Sequence, residues 1–541
     1  MKDTDQFVER YIRECNPGQQ TNSRFHRLFV TLLAFNFGIP CIFIYGFGFF
    51  ELIPSIKCLD QDTNMAFQCE RADVCGAPEK YKYVYDEESY FTVSNWIIRY
   101  DLLCMDKNQI GYFGGILLTG FFIGSVFFVR LGDILGRKVI VLASTIVSTF
   151  ALIGSHFFAP TLTAQLAYIF IFGVTIGPRC FLSYVLAMEL TPKEMHAFYS
   201  TMAMLFDSMC MIFLGVYFYA VRSMEQLILG LAIIQIVICV LMFLFIPESP
   251  KFLYEQGKKE QFITSLKKIA IINGLKAEDM VVNFEEVRNL GGGHSNSSPG
   301  GEQSGRKPKN FGTINGELIE DDVNSSDGTQ PEMIESAEVS AKSVSMINLV
   351  KDPLYALNTA ILALLWSTSA YSFYFTEFYM KYVPVSNVYY LAILMGCSDL
   401  FTSLIFNLIN RKLSTKQIIA VSTLLLSLSA TVLTIAIWVE SDIITDPADI
   451  SLGLQVFFSV MVLGMRFFSA LTFISVYFAN NEYFPTLLKG AIFAVTNVAA
   501  RLASVMSPMV AEWMGNPSIT VAIAAIAACI GSFKLTKKGT D

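Results

Sequence analysis

Histidine is nearly absent from this chain, with four in 541 residues. That leaves little material for a His-ligated metal or a His-based catalytic triad. Charge is scarce too. Charged residues make up 16% of the sequence, against roughly 25% in an average soluble domain. The basic residues do not outnumber the acidic ones; 39 Lys and Arg against 46 Asp and Glu give a net charge of -7. A chain so balanced has no basic face for nucleic acid. The N-terminal MKDTDQFVERYIREC is mixed in sign and does not read as a cleavable signal peptide. A soluble enzyme and a nucleic-acid binder are therefore poor readings. What abounds is apolar: 53% hydrophobic residues, 46 Phe, 23 Tyr, 21 Met and a mean hydropathy of +0.49. This is membrane-protein composition.

Apolar stretches long enough to cross a bilayer, at about 20 residues each, read at 28–52, 109–130, 138–157, 162–188, 198–221, 225–246, 354–378, 386–409, 417–439, 453–479, 488–511 and 517–534. The expected fold is all-α: twelve transmembrane helices in two six-helix halves, 28–246 and 354–534. Segments 1–27 and 535–541 are expected to be cytoplasmic ends, and 247–353 a cytoplasmic connection. Its first part, KFLYEQGKKEQFITSLKKIAIINGL, has helical spacing of apolar residues and reads as an amphipathic helix or helix pair. From Gly291 to about Lys342 it turns Gly-, Ser-, Asn- and acid-rich, with too little apolar surface to offset ordering entropy. The run GGGHSNSSPGG there lacks the lysine and the preceding strand of a phosphate loop.

Lys and Arg in the short loops set the orientation. With both ends inside, the cytoplasm receives Arg24, Arg27, Arg130, Arg137, Lys138, Lys193, Arg411, Lys412, Lys416, Lys489, Lys534, Lys537 and Lys538. The short outer loops receive Arg222 and Lys381, and the loop near 440–450 has no basic residue. The expectation is N-in, C-in. Segment 53–108 is then the large outer loop, and it holds Cys58, Cys69, Cys75 and Cys104. An oxidising outer space suits disulfides among them; three connectivities are open, and four buried thiols are the alternative. A surface membrane fits this loop best, with an internal membrane left open.

An internal repeat supports duplicated halves. Glu189, Pro192 and His196 close the fourth span, and Glu482, Pro485 and Lys489 close the tenth, each pair offset by 293 residues. Between spans two and three stands Arg130-Leu-Gly-Asp-Ile-Leu-Gly-Arg-Lys138. Asp133 there can accept from amides at a nearby helix N-terminus, and Arg137 can pair with Glu189. Such ion pairs, made in one state and broken in another, form a gate; a plain positive-inside turn is the alternative. The gating candidates are Asp133, Arg137, Glu189, Glu482 and Lys489.

R-x-G-D-x-x-G-R-K is similar to the signature loop of the major facilitator superfamily. NWIIRYDLLC, SYVLAMEL, PESPKFL, YFANNEYFPTLLKG and ARLASVMSPMV resemble the organic cation, organic anion and carnitine transporter family within it. The resemblance runs from about 28 to 535 apart from the linker. It implies a transporter, not an enzyme, with no cofactor or metal. Val129 replaces the expected glycine, Ile169 an arginine of the fourth span and His196 another, and the second-half loop is reduced to NRKLSTK. These departures motivate an alternative: a facilitator-like protein that no longer transports and serves as a sensor, scaffold or subunit of a membrane complex.

Ionisable residues inside spans are expensive and mark function. They are Arg179, Asp207, Asp399, Arg466 and Arg501, with Glu377 near a boundary. Arg501 matches the family position that is acidic in cation transporters and basic in the anion and carnitine members. A guanidinium there would hold a carboxylate or sulfate; pairing with Asp399 or Asp207 is the alternative. Asp399 matches an acidic position of cation-transporting members. Together with Arg501 it would make a cavity of both signs, suited to a zwitterion or to an anion moved with a proton or in exchange. Trp366 and Phe373 fall seven apart and match aromatics that line the family's cavity. The expected substrate site is thus Arg501, Asp399, Trp366 and Phe373. Its ligand would be a small organic anion or zwitterion, with room for a coupling ion, inside a lipid bilayer.

Overall fold

The computed structural model describes residues 2–15, 23–60, 66–69, 71–76, 81–276, 282, 352–385, 387–440, 451–484 and 486–536. Most of the expected linker, including 291–342, and the segment 441–450 lie outside the described residues.

The apolar stretches fold as helices, labelled here in chain order. They are α1 Arg27–Phe50, α2 Gln109–Leu135, α3 Arg137–Phe157, α4 Leu162–Leu190, α5 Lys193–Ala220, α6 Met224–Phe245, α7 Pro353–Tyr379, α8 Val388–Phe406, α9 Thr415–Val439, α10 Leu452–Tyr483, α11 Lys489–Trp513 and α12 Ser518–Phe533. Among the described residues, ten of these are long and apolar enough to cross a membrane. The exceptions are α12, at 16 residues, and α7. α7 has length enough, 27 residues, but carries Ser369, Ser372, Thr376 and Glu377, all with no exposure. Its polar face is turned into protein rather than toward the surface.

Side chains start several helices. Thr161 accepts from the amide of Ala164 at α4, Asp352 from Leu354 at α7 with Pro353 in the first turn, and Ser451 from Leu454 at α10. These satisfy amides that a helix leaves without partners. Outward-facing Phe150, Phe243, Leu408 and Ile523 are all more than 60% exposed, an apolar rim fitted to hydrocarbon.

The halves meet where α5 packs on α8 and α2 on α11. A Cβ on Gly215 of α5 would stand 2.9 Å from the Tyr389 carbonyl, and one on Gly396 of α8 2.9 Å from the Ile212 amide. Glycine alone lets these backbones approach so closely.

Between α1 and α2 a small sheet forms, with β1 Ile56–Asp60 in the centre, β2 Ala66–Gln68 on one side and β3 Tyr81–Tyr85 on the other, both antiparallel. The structure pairs Cys58 with Cys69 and Cys75 with Cys104. This selects one of the three connectivities open in the sequence. Asn95 anchors this domain by donating to the carbonyls of Phe49 (3.0 Å) and Leu52 (2.8 Å) at the end of α1.

At the opposite end three short helices gather: Lys2–Glu14, Pro250–Glu255 and Lys259–Ile272. The amphipathic segment thus forms two helices. The N-terminal helix lies against them, with Phe7 5.3 Å from Tyr254 and the Cys15 thiol 3.5 Å from the Leu266 carbonyl.

Candidate transport site

Helix α10 carries Arg466 at zero exposure, and two carboxylates converge on it. Its Nε donates to both oxygens of Asp399 at 3.0 Å, and its Nη2 to Asp399 Oδ2 at 2.7 Å. Nη1 donates to Glu377 Oε2 and to the Phe373 carbonyl, each at 3.0 Å. The Phe373 ring lies flat beneath, its centroid 3.4 Å from the guanidinium carbon. Across the half boundary the Tyr45 ring covers the same group at 5.5 Å, while its hydroxyl reaches Asp207 at 2.9 Å. This cluster ties α7, α8 and α10 to α1 and α5. Asp399 is therefore held by Arg466 and does not meet Arg501.

Arg501 is differently placed. It is 7% exposed on α11, and its guanidinium lies over Phe121 of α2 (4.3 Å) and faces Phe181 of α4 (5.3 Å). Its Nη1 donates to the Tyr374 hydroxyl at 3.2 Å, and its Nε is buried with no hydrogen-bond partner among the described residues. Among the described residues no carboxylate pairs with it. A buried cation without a counter-charge is costly. The most direct relief is an anion from outside the chain, and Arg presents a planar fork of donors for one.

Trp366 has no exposure and packs against Tyr477 (4.8 Å), Phe493 (4.9 Å) and Phe473 (6.0 Å), its Nε1 without a partner. Phe373 instead shields Arg466. The two aromatics thus serve different neighbourhoods. Between α1, α4 and α5 a small apolar recess is lined by Leu33, Phe37, Tyr184, Met202 and Phe206. Arg179, also buried on α4, donates to Asn36 Oδ1 (3.3 Å), the Asn36 carbonyl (2.9 Å) and Ser148 (2.8 Å), a network internal to the first half.

The signature loop is shorter than the sequence implies. α2 runs on to Leu135, and one residue, Gly136 at φ 111°, makes the turn into α3. Arg137 pairs with Asp133 and with Glu189, each at 3.1 Å, and stacks over Phe252 at 4.9 Å. The helix N-terminus is served not by Asp133 but by Glu248, which accepts from the Lys138 amide at 3.0 Å. In the same PESP stretch Ser249 caps Pro250–Glu255 by accepting from Phe252. In the second half Glu482 is exposed and Lys489 half-buried, and Pro485 lies outside the described residues.

One charge cluster escaped the sequence reading. At the disulfide end, Lys381 lies 2.8 Å from Glu51 and 2.6 Å from Glu512, joining the ends of α7, α1 and α11. Each of the three sits at a helix end, where a charge looks like an ordinary loop residue; Lys381 entered the sequence reading only as a loop cation, and neither glutamate was singled out.

Comparison with known proteins agrees with this architecture. The Major Facilitator Superfamily profile matches residues 38–532. Organic anion transporter 3 of Oryctolagus cuniculus is 23% identical over 428 residues, 79% of this chain and 67% of that one. Solute carrier family 22 member 6-A of Xenopus laevis is 20% identical over 433 residues, 80% of this chain and 66% of that one. The matches span about two thirds of these relatives. Organic cation/carnitine transporter 2 of Mus musculus is 24% identical over 211 residues, 38% of this chain and 36% of that one. In fold, the chain is similar to the xylose transporter of E. coli in its partially occluded inward-open conformation. That TM-score is 0.58 at 12% identity, covering 95% of this chain and 98% of the other. These relatives are transporters, not enzymes. This chain is an integral, multi-pass membrane protein that belongs to the major facilitator superfamily, related to the organic-ion transporters of solute carrier family 22.

Proposed function

We propose that the chain crosses the membrane twelve times with both ends in the cytoplasm, and that it moves a small organic anion, or a zwitterion presenting a carboxylate or sulfate, by alternating access. α7 and α12 would complete the set of spans, and the loop-charge asymmetry supports the direction. The disulfide end is then outside. The observation that carries the substrate class is Arg501: buried, on the boundary between halves, with aromatic faces on one side and no carboxylate partner among the described residues.

An incoming carboxylate takes the free donors of Arg501, and its organic body lies against the surrounding aromatics, with Trp366 as backing and Phe373 as a wall. Asp399 acts by holding Arg466 in place. As the halves rock, the pairs of Asp133, Arg137 and Glu189, and the matching Glu482 and Lys489, form and break. A coupling ion is compatible with the surplus of carboxylates around Arg466.

Ligand-induced thermal stabilisation of the purified protein tests this reading. Benzoate and carnitine are expected to raise the melting temperature and tetraethylammonium to leave it unchanged, with the rise lost in Arg501→Ala. Stabilisation by the cation alone, unchanged in that variant, contradicts it.

A further inference from the structure

The charged triad at the outer end has an imbalance the transport reading does not use. Lys381, Glu51 and Glu512 have side chains that are only 1%, 2% and 1% exposed. The Lys381 Nζ donates to Glu51 Oε2 at 2.8 Å and lies 2.6 Å from Glu512 Oε1. Tyr382 donates its hydroxyl to Glu512 Oε2. On its other side Glu512 packs against α2 at Gly111, which brings no charge. No other charged side chain pairs with these among the described residues. Two carboxylates and one ammonium leave one net negative charge sealed from water, with the Gly114 backbone amide of α2 also directed at Glu51. A sealed, uncompensated charge is strongly disfavoured.

We infer that Glu51 and Glu512 form a proton-binding site. One proton joins the triad as the halves close over it, converting one carboxylate to a neutral carboxyl. The same proton returns to outside water when they part. The balance needs nothing but a proton from the outer solution. Glu51 lies one residue beyond the apolar part of α1, and burial pushes its carboxyl up to about 7, with the Lys381 ammonium opposing the rise and Glu512 adding to it. In the parted state the same group meets water and returns toward its ordinary 4.5. A carboxyl raised in the closed state stabilises closure at low pH and loses that effect as pH rises through about 7. Acid outside therefore favours the closed outer end.

The inference rests on the alternating-access reading, but its test needs no substrate, so the two fail separately. Spin labels at Val221→Cys and Met514→Cys, both 40% exposed near the outer rim on different halves, report its opening in nanodiscs. The exposed Cys397 is replaced by Ser in this background. Between about pH 5.5 and pH 8.5 the long-distance population is expected to grow, at most about tenfold in open-to-closed ratio per pH unit for a single proton. Glu51→Gln removes that growth and holds the short distance at both pH values; Glu512→Gln does the same if Glu51→Gln fails to fold. A distance distribution that ignores pH, or one that still shifts in the Gln variants, overturns the proposal.

Discussion

Arg466 and Asp399 meet side-on, Nε and Nη2 of the one facing both oxygens of the other with a shortest contact of 2.7 Å. Sixty-seven residues separate them in sequence, yet together they anchor the core of the second half.

Breaking one side of that pair leaves Arg466 with Glu377 alone. Removing one partner of a buried ion pair costs about 3–5 kcal/mol where nothing substitutes; with Glu377 remaining, about 2 kcal/mol is expected for Asp399→Asn. Thermal denaturation in detergent checks this. The double variant Asp399→Asn, Glu377→Gln should fall well below either single one, because it strands the guanidinium.

The intramembrane charges were legible as individuals, because a charge in an apolar run stands out. Their pairing was not, since partners such as Asp399 and Arg466 lie on different helices. The sequence placed Asp399 beside Arg501; the fold turns it to Arg466 and leaves Arg501 between Phe121 and Phe181. The helices themselves came through within a few residues, except that α2 extends to Leu135 through the segment that reads as a loop. The grouping of Lys381, Glu51 and Glu512 was invisible for a different reason. At a span's edge, a charge destined for burial has the same neighbours in sequence as one left in water.

Trp366 packs among three aromatics, so its contribution divides into ring and indole nitrogen. Trp366→Ala opens a cavity and costs about 3–5 kcal/mol. Trp366→Phe keeps most of the ring contacts and loses no hydrogen bond, because Nε1 has no partner; its melting temperature should stay close to that of the unmodified protein.

Disulfide pairing makes a sharp chemical prediction. Proteolysis without reductant, followed by mass spectrometry, should recover one linked peptide pair holding Cys58 and Cys69 and another holding Cys75 and Cys104. Replacing Cys58 with Ser removes a typical 2–4 kcal/mol from the constrained loop between α1 and α2, read as easier proteolysis of residues 53–108.

At the end that carries the N-terminal helix, burial pushes the Cys15 thiol up to about 12, with Glu14 adding to the effect, from an ordinary 9.0. The docked N-terminal helix thus favours the protonated thiol. That contribution is complete below about pH 9 and fades as pH rises further. Maleimide at neutral pH should label Cys15 slowly, because the thiolate is the reactive form. Phe7→Ala, which removes packing against Tyr254, should speed the labelling at least severalfold.

In the proposed cycle Arg501 receives the substrate's anionic group. The measurement to make is uptake into proteoliposomes of labelled benzoate, carnitine and tetraethylammonium, with Arg501→Ala alongside. A charge-assisted, two-pronged contact is worth roughly 1.5–3 kcal/mol, so anion or zwitterion uptake should fall by about 10- to 100-fold in the variant. Uptake of the cation alone, or uptake of any of the three that survives the substitution unchanged, would contradict the account.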